Sequence, residues 1–210
     1  MKRILIVRHG VQDTSLFNAD APLSGKGRRQ AELLRDSLCK EKFDLFYSST
    51  LIRAVETADI LNENWNMEIR RRPEINEMDW GDFTGRDIET ARRENKDFFS
   101  RYAMRYEDLP YPGGECGEDA FRRALPVFRE IEEASAESIL MVAHGGLLRS
   151  VLAGLLGVPF RNKLVFSKYL ENTSVTELLY DEARKLYYIE RLNDHHHLDG
   201  HPELQRRRDL

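Results

Sequence analysis

A chain of 210 residues has room for one well-filled hydrophobic core, and its 41% hydrophobic and 32% charged residues exclude disorder throughout. The formal net charge of -4 gives no general attraction to nucleic acid or an anionic membrane, while leaving room for a small, locally basic pocket. No apolar run is long enough to span a bilayer, and the only cysteines, Cys39 and Cys116, lack metal-ligand spacing, which fits a reducing, cytoplasmic compartment.

Residues 3–7 form an apolar run that predicts an inner strand, ending abruptly at Arg8-His9-Gly10. The stretch up to Pro22 has no period and reads as a long loop beside that strand end. Ser24 is placed to cap a helix whose inner face carries Gly27, Ala31, Leu34 and Leu38. A short strand over residues 44–47 leads to Ser48-Ser49-Thr50. Thr50 is the expected N-cap of a helix burying Ala54, Thr57, Ala58 and Leu61. Residues 67–69 suggest another short strand. From Met78 to Glu115 the texture turns aromatic and charged, a helical excursion over the active face rather than a separate domain.

Phe121, Leu125, Phe128 and Ile131 trace one helix face, and residues 138–143 predict a second inner strand, broken by His144-Gly145-Gly146. An apolar helix follows to Gly157, and residues 175–179 and 186–189 predict a late hairpin. Strand and amphipathic helix alternate, so the fold class is α/β with a mainly parallel mixed sheet flanked by helices. Residues 1–192 are expected to form one domain. Residues 193–210, poor in apolar groups and containing Arg206-Arg207-Arg208, are expected to be a peripheral tail.

Chemistry concentrates where two strands end, at Arg8-His9-Gly10 and at His144-Gly145, which an open α/β sheet can bring into one crevice. One neutral nitrogen of His9 can attack phosphorus when the other is oriented by a hydrogen bond. Arg8 and Arg53 can oppose protonation of that ring and fork onto phosphoryl oxygens, and His144 can complete the cradle. Taken singly, each of these residues has an ordinary packing role. Their joint placement carries the functional reading.

The chain resembles the histidine phosphatase superfamily, which includes phosphoglycerate mutases. The resemblance runs through Arg8-His9-Gly10, Leu23-Ser24, Ser49 through Arg53 with Thr57, and residues 77–81. It continues through Gly114-Glu115, Val142 to Gly146 and Asn172 to Val175. It implies a phosphoglycerate mutase-like fold, His9 as nucleophile, and Arg8, Arg53 and His144 as the phosphate pocket. It further implies Glu77 as proton donor and later base, with support from Glu115 and Asn172. Where many relatives carry Gly-Glu-Ser this chain has Cys116 in place of the serine, and a packing role is expected for that thiol. The loop after Gly10 also departs from the family pattern, so the role of a family asparagine is not carried to Asn18.

The implied activity is hydrolysis of small phosphomonoesters through a phosphohistidine intermediate. A phosphoglycerate mutase is the alternative within the fold, and a catalytically silent phosphate-binding regulatory module is the alternative outside enzymes. The compact excursion and altered first loop favour the phosphatase. The expected partner is a small phosphorylated metabolite, with no nucleic acid, no membrane, no cofactor and no metal; a homo-oligomer is neither required nor excluded. His195, His196, His197 and His201 are expected to lie in a solvated or substrate-facing tail rather than to act as metal ligands.

Overall fold

The computed structural model describes residues 1–206. Six strands form one sheet: β1 (Lys2–Arg8), β2 (Leu45–Ser48), β3 (Ile69–Arg71), β4 (Ser138–Ala143), β5 (Val175–Asp181) and β6 (Leu186–Asp194). Their spatial order is β3-β2-β4-β1-β5-β6. The mainly parallel expectation holds for β3, β2, β4 and β1, whose three pairings are parallel. The pairings of β5 with β1 and with β6 are antiparallel.

Side chains alternate across the pleat and so sort into two cores. Ile4, Ile6, Ile139 and Met141 face α5 (Gly117–Glu133) and α6 (Gly145–Leu155). Leu5, Val7, Leu140 and Val142 face α1 (Gly25–Ser37) and α2 (Ile52–Asn62). The excursion carries α3 (Ile88–Glu94) and α4 (Lys96–Met104), joined to the first core by clustered Phe83, Phe98, Phe99 and Tyr111 rings.

Ser24 caps α1 as expected, its side chain accepting from Gly27 N. Thr50 does not cap α2. The N-cap is Leu51, and the Ile52 amide is taken by Asp20 Oδ1 at 2.7 Å, so a loop carboxylate replaces the local hydroxyl. Thr50 instead turns its amide and hydroxyl to Asn76 Oδ1. The third strand lies later than residues 67–69, because it starts where Ile69 meets Phe46.

The boundary drawn at 193 falls inside β6, and the segment after it is packed rather than peripheral. Leu198 is 0% exposed, Leu204 is buried, and Gln30 Nε2 donates to Leu204 O at 2.7 Å beneath α1. Few apolar groups suffice when each is fully buried. Arg207 and Arg208 lie outside the described residues. Among the described residues no helix is long and apolar enough to cross a membrane.

Candidate active site

β1 and β4 are paired in parallel through Arg8 and Ala143, so His9 and His144 emerge side by side, their rings 5.0 Å apart. His9 is only 5% exposed. Its Nδ1 lies 2.7 Å from the carbonyl of Gly10 and must carry the proton there, which leaves Nε2 with a lone pair. Arg53 Nε donates to that lone pair at 3.3 Å. Burial, then the charges of Arg8 and Arg53, hold the imidazole well below its ordinary 6.5, so it is neutral at physiological pH. Asn172 Nδ2 donates to His9 O at 2.9 Å, and Thr57 Oγ1 accepts from Gly10 N at 3.1 Å.

The loop after His9 lies directly on α1. A Cβ on Gly27 would stand 2.1 Å from Val11 O, so only glycine admits this approach. Further along the loop, Asn18 takes a left-handed turn, φ 44°, and bridges the site. Its Oδ1 accepts from Arg53 Nη2 at 2.8 Å, and its Nδ2 donates to Met78 O at 3.1 Å. Arg8 donates to Leu170 O, while its Nε is buried without a partner among the described residues. Burial and the nearby Arg206 bring Arg8 down to about 9, still cationic at neutral pH.

The tautomer of His144 follows from its neighbours. Thr50 N fixes the Asn76 amide with Oδ1 as acceptor, and Ser49 Oγ gives its proton to that oxygen at 2.7 Å. Ser49 Oγ must therefore accept from His144 Nε2, 2.7 Å away. That leaves His144 Nδ1, buried and without a partner among the described residues, as the nitrogen available to a ligand. Burial, Arg53 and His9 hold this ring neutral as well.

Glu77 binds at the start of α6. Its Oε1 accepts from Leu147 N at 2.8 Å and Met78 N at 2.9 Å, and its Oε2 accepts from Gly146 N at 3.1 Å. A Cβ on Gly146 would stand 2.7 Å from Oε1, so the bare glycine is what lets the carboxylate dock. Glu115 lies behind it. Burial opposes ionisation of Glu115, but Arg123 holds its carboxyl below the usual range, forking onto it at 2.7 and 2.8 Å. Arg123 also donates to Asn76 O and Glu77 O, each at 3.2 Å, and Glu115 accepts from Asp79 N at 2.9 Å. Neighbouring Cys116 is pushed up to about 11 by burial and by Asp119, which accepts its Sγ proton, and this disfavours the thiolate.

Arg8, His9, Asn18, Arg53, Glu77 and Asn172 line a cavity of about 320 Å³. The sequence-derived set thus meets in one place, with His144 against His9 and Glu115 one layer behind. Sequence reasoning placed Arg206, which lines the same cavity, in a peripheral basic tail able to attract an acidic partner, gave no role to Asn76 and made none secure for Asn18. Ser49 entered only as part of a motif. The tail histidines have separate partners: His197 Nε2 meets Thr173 Oγ1, His196 meets Asp194, and His201 meets Glu203. Among the described residues no three His, Cys, Asp or Glu side chains are grouped to hold a metal.

Comparison with known proteins gives concordant matches. A model of the histidine phosphatase superfamily (branch 1) matches residues 4–195. A 2,3-bisphosphoglycerate-dependent phosphoglycerate mutase of Rhizobium etli is 33% identical over 92% of this chain and 97% of its own length. Phosphoserine phosphatase 1 of Hydrogenobacter thermophilus is 27% identical over 89% of this chain and 90% of its own. The structure of a mycobacterial glucosyl-3-phosphoglycerate phosphatase superposes with a TM-score of 0.82 at 28% identity, over 92% of this chain and 99% of that one.

Proposed function

The chain belongs to the histidine phosphatase superfamily, and on that premise we propose that it hydrolyses small phosphomonoesters by way of phospho-His9. The observation that carries this reading is the state of His9: Nδ1–H anchored on Gly10 O, Nε2 bearing the lone pair, and two guanidiniums beside it. Nε2 attacks phosphorus as the ester P–O bond breaks, and Glu77 gives a proton to the departing alkoxide. Glu77 then takes a proton from water, the oxygen of that water bonds to phosphorus, and the N–P bond breaks to release inorganic phosphate. Arg8 and Arg53 offset charge on the equatorial oxygens throughout. His144 joins them by taking a proton from solvent at Nδ1 as the phosphoryl dianion enters, and donating that N–H to a phosphoryl oxygen.

Replacing His9 with Ala tests the first step. Rapid quench with an active ester should yield no acid-labile phosphoenzyme, and wild-type labelling of His9→Ala would overturn the assignment. The mutase reading has specific support in relatives named for that activity, one of them 33% identical. The two are separated by resolving inorganic phosphate and positional isomers from phosphoglycerate, with and without catalytic bisphosphoglycerate. Phosphate release without a bisphosphate requirement marks the phosphatase. Fast isomer exchange with little release marks the mutase.

A further inference from the structure

Beside the reaction cavity lies a second one of about 380 Å³, and both share Arg8, Glu77, Trp80, Ile88 and Arg206 as walls. Glu77 faces both, so an ester whose leaving oxygen meets Glu77 has its alcohol portion at the mouth of the second cavity. The charges there are one-sided. Arg8, Arg105, Arg149, Lys163 and Arg206 line it, and Glu77 is the sole acid among its lining residues. Lys163 is neutralised by Asp108 at 2.5 Å. No carboxylate among the described residues is ion-paired with Arg105, Arg149 or Arg206, whereas Arg3, Arg123 and Arg191 each have an acid.

Arg149 is the most firmly built of the three. Its Nε and Nη2 donate to Ser167 O at 3.1 and 2.9 Å, and Nη2 reaches Lys168 O at 3.3 Å, so carbonyls fix its plane without cancelling its charge. Arg8 and Arg149 approach each other over Gly145. Arg8 Nε stands 3.3 Å, and Arg149 Nη1 3.8 Å, from where a Cβ of that residue would sit. Arg8 Nε is itself buried without a partner among the described residues. Arg105, in a left-handed turn at the end of α4, is held over the Tyr102 ring at 4.2 Å. Arg206 is tied down by its amide on Glu171 Oε2 at 3.0 Å, while Glu171 Oε1 accepts from Asn172 N at 3.0 Å. Partly desolvated cations without counter-ions are costly, and a preoriented guanidinium fork suits a carboxylate or phosphate.

We infer that the preferred substrate is a phosphomonoester whose alcohol portion carries a second anionic group, bound in this cavity with Arg149 as the anchor and Arg105 and Arg206 at its sides. The inference rests on the phosphatase reading and narrows it. Three esters of one three-carbon skeleton separate the sources of the charge: glycerol 1-phosphate, 3-phosphoglycerate and glycerol 1,3-bisphosphate. Wild-type kcat/KM should be at least about tenfold higher for an anionic ester than for glycerol 1-phosphate, and the better of the two identifies carboxylate or phosphate. The ratio should fall toward one in Arg149→Met, mainly through KM, and fall partway in Arg206→Met. Because a ratio is read, a general loss of activity cancels. The exposed Arg206 keeps the test alive should Arg149→Met fail to fold. A wild-type ratio near one, or a ratio kept in both variants, would overturn the inference. If no ester were hydrolysed and no phosphoenzyme formed, the phosphatase reading would fail instead. Equilibrium binding of the same esters to His9→Ala would still decide the anionic site, since it needs no turnover.

Discussion

His9 and His144 are kept neutral at a cost to the fold, and this fixes two pH responses. Unfolded imidazoles titrate near 6.5 and the folded rings well below it, so as pH falls through 6.5 the unfolded chain binds more protons. Stability contributed by these rings is complete above that value and declines below it. Urea denaturation at pH 5 and pH 7.5 should show the drop, reduced in His144→Gln. The acid limb of kcat/KM, which reports the free enzyme, should correspondingly fall well under 6.5. A limb at 6.5 would mean that His9 is not held neutral. Glu77→Gln removes the proton donor, so phosphorylation by alkyl esters should slow by about 10²–10⁴-fold, and phosphorylation by activated aryl esters far less. An equal loss for both would make Glu77 a structural group, which its three backbone donors already permit. At this scale the strand-end motifs made His9, Arg8 and His144 legible. The Ser49–Asn76 relay was not, because it joins short polar side chains across 95 and 27 positions, and no local period records such contacts.

Element boundaries were legible where a local interaction sets them, as at Ser24, whose hydroxyl caps α1. They were displaced where a distant group does so, as at α2, whose first amide belongs to Asp20. Gly27 shows the same division. By propensity it weakens the first turn of α1, yet it is required there by a loop that the sequence leaves without structure. Gly27→Ala should therefore cost at least about 2 kcal/mol and displace the loop carrying Asn18. Gly25→Ala, two positions earlier with nothing within 4 Å of its Cβ, should be neutral or slightly stabilising. Paired urea titrations and activity assays would check this, and equal stabilities would remove the packing argument.

For the molecule as a whole, alternating patterns conveyed the α/β class and most of the strands, but pairing direction at β5 is a global property that no window of sequence contains. The last segment was misjudged because composition counts apolar groups without weighing how completely each is buried. Leu198→Ala should lower stability by about 2–4 kcal/mol. Deleting residues 195–210 should also lower turnover, since the segment reaches Asn172 and hence His9 O through Glu171. Full turnover and an unchanged melting temperature in the truncated chain would contradict this. Because the pocket supplies both its cations and its nucleophile, activity should survive exhaustive chelation; loss restored by one bound metal per chain would reject the scheme. The position of β1 carries a further consequence. It lies between β4 and β5, partners more than 130 residues further along the chain. At typical translation speeds, the interval between its synthesis and that of β5 is on the order of ten seconds. For most of that time, until β4 is made, Ile4, Leu5, Ile6 and Val7 have neither neighbour, so the nascent chain exposes an apolar edge on the ribosome. Yield in cells should depend on chaperone supply more than the stability of the finished protein would suggest.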